Sequence, residues 1–267
     1  GQGGNGLRKV LLLEKNPKPG RKLRLSGAGQ CNFTHGGDIK DFLSHYGENG
    51  RFLKRALYNF SNQDLIKFFK ARGLDFVENP EGKIFPITMK AEYVLEVLLK
   101  ECDKKAIDIL CNHRVERIVK DADIFHVYTA GREYRGKYVI IATGGMSYPS
   151  TGSTGDGYGW ARNLGHSISK PAPALTPLYI KDHPFSELSG ISFQAINISL
   201  WREGKKMKDW QGDVLITHRG LSGPGILNYS RYVLPGDIIK LSFVSAKNEE
   251  EFNRQFISLF QDHGKSL

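Results

Sequence analysis

The residues best suited to chemistry follow a short apolar run near the start of the chain. Val10 to Leu13 are continuously apolar, which is typical of a parallel strand covered on both faces, and Glu14 follows directly. A carboxylate at the end of an early strand of a doubly wound sheet can accept hydrogen bonds from both hydroxyls of a ribose. The spacing therefore predicts a nucleotide site beside Glu14.

A basic turn and a run of small residues come next. Lys15, Lys18, Arg21, Lys22 and Arg24 crowd a segment broken by Pro17, Pro19 and Gly20, and the sequence SGAGQCN follows at 26–32. Small residues let the backbone approach a bulky or phosphorylated ligand closely. Each feature alone is also what an ordinary solvated turn would show, so it is their order that favours ligand binding.

A second apolar run, KYVIIATGG at 137–145, repeats the same arrangement. It predicts a buried strand over Tyr138 to Ala142 that ends in a tight Thr143-Gly144-Gly145 turn, at the edge where open α/β sheets bind ligands. A loop rich in hydroxyls and glycines, SYPSTGSTGDGY at 147–158, runs straight on. Asp156 in that loop can contact a ligand or cap the helix that follows.

Together these segments resemble the HI0933-like (YhiN-type) family of FAD-dependent oxidoreductases. The first three matching family patterns are EKNxxxGRKLxxSGGGRCN, ATGG and SYPxTGSTGDGY. The fourth is GELLFTHFGLSGPAILxxS, which GDVLITHRGLSGPGILNYS at 212–230 resembles. This chain departs from the first at Ala28, where the family has Gly, and at Gln30, where it has Arg. The resemblance implies an α/β fold: a Rossmann-type FAD-binding domain of the two-dinucleotide-binding-domain flavoprotein type, with an inserted β-rich second domain.

The resemblance also implies roles for particular residues. Glu14 would take the adenosine ribose, the backbone near Val115 would contact adenine, and no catalytic acid or base is identified. The full set of cofactor-binding residues that it implies is Glu14, Lys15, Gly20, Arg21, Lys22, Ser26, Gly27, Gly29, Cys31, Asn32, Val115, Ala142, Thr143, Gly144, Gly145 and Asp156. FAD is the implied cofactor and NAD(P)H the implied electron donor, although no second nucleotide fingerprint is visible.

The composition of the chain changes at a proline-rich segment, PAPALTP at 171–177. We expect an FAD-binding domain over 1–172 and, over 173–267, an inserted β-barrel-like domain with the start of a helical subdomain. Alternation from Ile191 to Trp201, a hairpin turn at Glu203-Gly204-Lys205, and a strand from Gly212 to Thr217 predict the β module. Against complete family members, we expect the chain to be shortened at both ends.

Composition bounds the class of protein. The chain has 267 residues, 40% of them hydrophobic, and a net charge of +10, and residues 1–60 hold eleven Lys or Arg against four acids, a net +7. Three cysteines without CxxC spacing indicate neither a disulfide framework nor a metal site, and no apolar run approaches the ~20 residues that span a bilayer. We therefore expect a cytoplasmic protein without membrane attachment, whose oligomeric state the sequence does not reveal.

Two functions follow as alternatives. The first is an FAD-dependent oxidoreductase that acts on a small molecule, with NAD(P)H as the donor. The second is a cofactor-free binding module whose basic surface meets anionic partners such as nucleic acid. Because no helix-turn-helix, zinc-finger or RNP pattern appears, the sequence disfavours nucleic-acid binding as the main role.

Overall fold

The computed structural model describes residues 9–243 and 249–263. The chain divides into two compact units, Gly1–Ile168 and Ser169–Leu267. Within the described residues, no helix is both long and apolar enough to cross a membrane. In the same residues, no group of three or more His, Cys, Asp or Glu side chains is placed to hold a metal ion.

The first unit mixes short strands with helices. Its elements in chain order are β1 (Leu11–Leu13), α1 (Arg21–Leu25), β2 (Thr34–His35), α2 (Ile39–His45), α3 (Gly50–Asn59), α4 (Asn62–Lys70), β3 (Phe76–Glu78), β4 (Lys83–Pro86), α5 (Ala91–Lys104), β5 (Asp108–Leu110), β6 (Val115–Asp121), β7 (Ile124–Thr129), β8 (Arg132–Gly136) and α6 (Asp156–Asn163).

The parallel part of the fold is the pair β1 and β5, in which Leu12 lies opposite Ile109. A parallel pair needs a long crossover, and here the helices between the two strands supply it. Two antiparallel sheets accompany the pair, with strand orders β2-β4-β3 and β6-β7-β8. In the second of these sheets, the alternation of Phe125, Val127 and Thr129 with polar-facing neighbours predicts an antiparallel hairpin. The antiparallel pairing of β7 with β6 and β8 confirms it.

The core of the first unit lies between α4 and α5. Phe69, Leu74, Ala91 and Val94 are buried there together with Cys31, which is only 1% exposed. Ser61 caps α4 in the predicted capping box, because its hydroxyl accepts from the Asp64 N–H while the Asp64 carboxylate accepts from the Ser61 N–H. This cap fixes where α4 begins.

The predicted strand over Tyr138 to Ala142 is wrong. Residues 138–145 have no regular secondary structure, and Ile140 is 90% exposed. An apolar run becomes a strand only when a neighbouring strand pairs with it, and no strand of the described residues forms a ladder with residues 138–142. The cap predicted at Asp156 is also wrong: Gly155 is the N-cap of α6, and no side chain caps the helix.

The second unit is built on one antiparallel sheet. Its elements are β9 (Leu178–Tyr179), β10 (Ser192–Arg202), β11 (Lys205–Thr217), β12 (Gly220–Ser222), α7 (Pro224–Leu227), β13 (Ile238–Ser242) and α8 (Glu249–His263), and the strand order is β13-β10-β11-β12-β9. The sequence predicts a helix from Asn248 that stops at Gly264, and that stop lies outside the described residues. The predicted β module is present: β10 has the expected length, whereas β11 begins at Lys205, seven residues before the predicted start at Gly212.

The alternation of β10 sets the core of this unit. Ile196, Ile198 and Leu200 are buried, and they are joined there by Val214 and Ile216 of β11. Glu203 and Gly204 connect the two strands with positive φ angles of 49° and 77°, which suits a two-residue hairpin turn of type I′. Asp237, whose side chain is 2% exposed, accepts two hydrogen bonds from the Arg202 guanidinium, each 2.8 Å long.

Candidate functional site

The carboxylate predicted to be functional lies where β1 ends. The Glu14 N–H donates to the Leu110 carbonyl, and the Glu14 carbonyl accepts from the His113 N–H, both at 2.9 Å. The Glu14 Oε1 atom accepts from the backbone N–H and the side-chain amide of Asn16, each at 2.8 Å. Its Oε2 atom takes part in no hydrogen bond within the described residues, so it can accept one from a ligand.

Lys15 joins this strand end to the polar loop, the name used below for residues 147–156. Its Nζ atom donates to the Thr154 hydroxyl at 2.6 Å and to the Asp156 carboxylate at 2.9 Å. The hydrogen bond from Lys15 is the main cause that holds the pKa of the Asp156 carboxyl below its usual value, and the charge of Arg114 acts in the same direction. Asp156 is therefore an anion at neutral pH.

Lys22 reaches the same loop from α1. Its Nζ atom donates to the Ser147 carbonyl at 3.1 Å and to the Ser153 hydroxyl at 3.0 Å. The amide of Asn16 adds a long hydrogen bond, 3.4 Å, to the Thr151 carbonyl. Two ammonium groups and one amide thus hold a loop that carries several hydroxyl groups.

The Thr143-Gly144-Gly145 segment also lies against the polar loop. The Gly145 carbonyl accepts from the Gly155 N–H at 3.2 Å. A Cβ atom placed on Gly144, which has φ 73°, would lie 3.1 Å from the Ser153 hydroxyl oxygen. One placed on Gly157 would lie 2.5 Å from the Thr143 hydroxyl oxygen, so only glycine fits there. The ends of both predicted strands therefore meet the polar loop.

Val115 borders an open cleft of about 390 Å³ on this side of the unit. The cleft lies between the start of β6 and one face of α6, and its lining consists of Arg114, Val115, Glu116, Asp156, Gly159, Trp160 and Asn163. The Trp160 indole N–H donates to the Glu116 carbonyl at 3.3 Å and so connects the two walls. The volume is within the range of small-ligand pockets.

Other predicted site residues contact parts of the protein outside this site. The Ser26 hydroxyl donates to the Leu23 carbonyl at 2.7 Å, and the Cys31 thiol is buried in the core. The Cα of Gly20 faces α5, because a Cβ there would lie 2.5 Å from a Leu95 methyl group. The Asn32 amide faces the carbonyls of Thr34 and Ile84.

Four predicted residues have no side-chain hydrogen bond or core contact of this kind within the described residues: Arg21, Gly27, Gly29 and Ala142. Arg21 begins α1 and is exposed, as is Ala142. Gly27 and Gly29 have positive φ angles of 55° and 88°. Ala28 between them has φ 55° and ψ 36°, the left-handed region that costs a residue with a Cβ roughly 1 kcal/mol. The family's Gly at this position matches the backbone better than Ala28 does.

Two family descriptions match the sequence. "HI0933-like protein Rossmann domain" matches residues 2–218, and "HI0933-like protein barrel and H2TH domain" matches residues 172–267. The chain belongs to the HI0933-like family.

Relatives of this HI0933-like chain carry two kinds of name. A 3-dehydro-bile acid delta(4,6)-reductase from Clostridium scindens is 33% identical over 85% of this chain and 54% of its own length. Ribosomal RNA dihydrouridine synthases from Haemophilus influenzae and Escherichia coli are 33% and 30% identical, over 92% of this chain and 61% and 60% of their lengths. The chain thus spans less than two thirds of the length of these curated relatives.

Among solved structures, p-nitrophenol 4-monooxygenase PnpA from Pseudomonas putida DLL-E4 is 13% identical over 95% of this chain and 62% of its own length. Its TM-score of 0.28 is too low to support an inference.

Several residues of this HI0933-like site are absent from the sequence-based prediction. Asn16 donates hydrogen bonds to the Glu14 carboxylate from its backbone N–H and its side-chain amide, and the same amide donates to the Thr151 carbonyl of the polar loop. Nothing in the sequence indicates this role. Ser147, Ser153 and Thr154 lie in the loop whose hydroxyls marked it as a binding segment, but nothing in their spacing shows that lysines 15 and 22 would meet them. Trp160 carries no pattern that would reveal its place in the cleft.

Proposed function

We propose that this chain is the FAD-holding part of a flavin-dependent oxidoreductase. The observation that carries the proposal is the meeting of the Glu14 strand end, two lysines and the Gly144 segment on the polar loop. Membership of the HI0933-like family supports the same conclusion. The relatives' names, a reductase and a dihydrouridine synthase, agree with redox chemistry.

The donors and acceptors present fit a dinucleotide. The free Glu14 Oε2 atom can accept from a ribose hydroxyl, and the Lys15 and Lys22 ammonium groups suit phosphate oxygens. The Val115 cleft, with the Trp160 indole in its wall, can take a planar base. In this proposal Glu14 binds the ribose, the two lysines stay near the phosphates, and the Val115 backbone contacts adenine.

When bound, FAD would supply the electron transfer, and the protein would supply binding and orientation. The Lys15 ammonium group already donates hydrogen bonds to Thr154 and Asp156, so a phosphate would compete with a carboxylate for that ammonium group. Lys22 is bound only to hydroxyl and carbonyl oxygens and is the freer of the two cations. NAD(P)H as the electron donor is the finer part of the proposal, and a reductive titration of the loaded protein would test it.

The test is FAD uptake by the whole chain. We expect the purified protein to be yellow or to quench the fluorescence of added FAD, and Glu14→Gln to weaken uptake by at least about tenfold, the size of a lost hydrogen bond to a charged group. Glu96→Gln is the matched control, because Glu96 is exposed on α5 and forms no ion pair within the described residues. A colourless chain that takes up no added FAD would contradict the proposal.

A further inference from the structure

The surface of α3 carries a basic stripe, defined here as Arg51, Lys54, Arg55 and Tyr58. Residues spaced by three, four and seven positions lie on one face of a helix, so these four side chains are neighbours. All four are exposed, and the Lys54 ammonium lies 5.7 Å from the centre of the Tyr58 ring. None of them belongs to the site described above.

The charges of the basic stripe are not neutralised locally. Residues 50–60 contain no acid, and within the described residues the stripe's cations form no ion pair. The acids nearest in sequence are Glu48 and Asp64, and Asp64 is bound to the cap of α4. Three like charges within two helical turns repel one another, so an anion that spans them would stabilise the surface.

Aromatic rings border these cations. Phe52 is 87% exposed, Phe60 is 53% exposed and Tyr58 is 44% exposed. Proteins bind single-stranded nucleic acids through exposed aromatic rings interleaved with lysine and arginine, because the bases stack on the rings while the phosphates contact the cations. The stripe and its flanking rings therefore have the two kinds of contact that one strand requires.

We propose that the α3 basic stripe, with Phe52 beside it, binds RNA. The proposal goes beyond the proposed function, because it assigns a ligand to a surface outside the FAD site. Two of the relatives are named as ribosomal RNA dihydrouridine synthases, which agrees with an RNA ligand. A steroid-sized ligand needs a concave pocket, whereas the stripe lies on the convex side of a helix. Leu53 and Leu57 of α3 are half-buried where α3 packs with α2, which leaves Phe52 as an isolated exposed apolar side chain of the helix. A helix that lies in a bilayer surface needs a continuous apolar face instead.

The experiment measures the fluorescence anisotropy of a labelled 20-nucleotide single-stranded RNA of mixed sequence, titrated with the whole chain at several salt concentrations. If the three cations each meet a phosphate, log affinity against log salt should lose about 2 units of slope in the Arg51→Gln/Lys54→Gln/Arg55→Gln variant. At 0.1 M salt this corresponds to roughly 100-fold weaker binding. Phe52→Ala or Tyr58→Leu should weaken binding by about fivefold or more at all salt concentrations.

The matched control replaces three other exposed lysines that form no ion pair within the described residues, as Lys70→Gln/Lys100→Gln/Lys105→Gln. It removes the same net charge, and we expect it to weaken RNA binding less than about threefold. Equal losses in the two triple variants, or no binding by the unchanged chain, would overturn the proposal. So would stripe-dependent binding to phosphatidylserine vesicles with RNA binding unaffected.

FAD uptake, measured on the same preparations, separates the two proposals. Stripe variants that keep FAD uptake and lose RNA binding support the assignment of the stripe. If the chain takes up no FAD but binds RNA through the stripe, the flavoprotein proposal fails while the RNA surface stands. Circular dichroism of each variant shows whether α3 is still folded.

Discussion

The β10–β11 hairpin of the second unit and the 138–145 segment of the first both carry isoleucines, but in opposite surroundings. Ile198 in β10 is 1% exposed, whereas Ile140 is 90% exposed. β10 has strand neighbours on both sides, β11 and β13, and its alternate residues face one core. Apolar residues are therefore buried where the chain supplies strand partners, and hydrophobicity alone does not decide the outcome.

A second difference concerns what holds each region in place. The sheet of the second unit is stabilised by burial of aliphatic side chains, while the candidate site of the first unit is held by lysine hydrogen bonds to a polar loop. The first kind of stabilisation depends on volume and the second on charge. Substitutions can therefore test the two regions separately.

The largest expected effect is in the sheet. Ile198→Ala should lower the free energy of unfolding of the second unit by about 3 kcal/mol, because it leaves a cavity in a closed core. The matched change Ile140→Ala should alter stability by less than about 0.5 kcal/mol. Urea unfolding followed by Trp201 and Trp210, with Trp160 replaced by Phe, measures the first value. Similar costs for the two changes would show that the 138–145 segment is packed.

A smaller effect is expected in the polar loop. Asp156→Asn should cost about 1 kcal/mol at pH 7, since it removes the carboxylate partner of Lys15. The folded pKa of Asp156 lies below its value of 3.8 in a free side chain, so this stabilisation is complete above that pH and is lost as the pH falls through the folded pKa. The difference in the free energy of unfolding between the unchanged protein and Asp156→Asn should therefore shrink below about pH 4.

The measurement for this pair is urea unfolding at pH 7 and pH 3, followed by Trp160 in a background in which Trp201 and Trp210 are Phe. Glu96→Gln serves as the control, because it removes an exposed carboxylate that has no cation partner in the described part of the chain. A cost that stays constant from pH 7 to pH 3 would mean that the Lys15 ion pair does not contribute.

The smallest effect tests the backbone beside the site. Ala28→Gly should raise the stability of the first unit by roughly 0.5 to 1 kcal/mol, because Ala28 has the left-handed conformation that glycine adopts freely. Ala56→Gly, within the right-handed helix α3, should have the opposite sign and a similar size. Thermal unfolding of the two variants gives both signs in one experiment. Two changes of the same sign would argue against the left-handed backbone at Ala28.

Local patterns predicted much of this molecule. The capping box at Ser61, the alternation of β10 and the hairpin turn after β10 could each be predicted from the sequence. Each of them depends only on residues that are close in sequence. The strand over 138–142 could not be judged in this way, since pairing depends on a neighbour that is distant in sequence. For the same reason the sequence showed that Lys15 and Asp156 suit a ligand site but not that they pair with each other, 141 residues apart.

The solvent-facing stretch around Tyr138 and Ile140 has a practical consequence. Exposed apolar side chains that are close together can bind the same side chains of another molecule, and such association becomes favourable as concentration rises. Light scattering of concentrated samples should then show association that a lysine at residue 140 suppresses, and dilute solutions are the appropriate regime for the titrations described above.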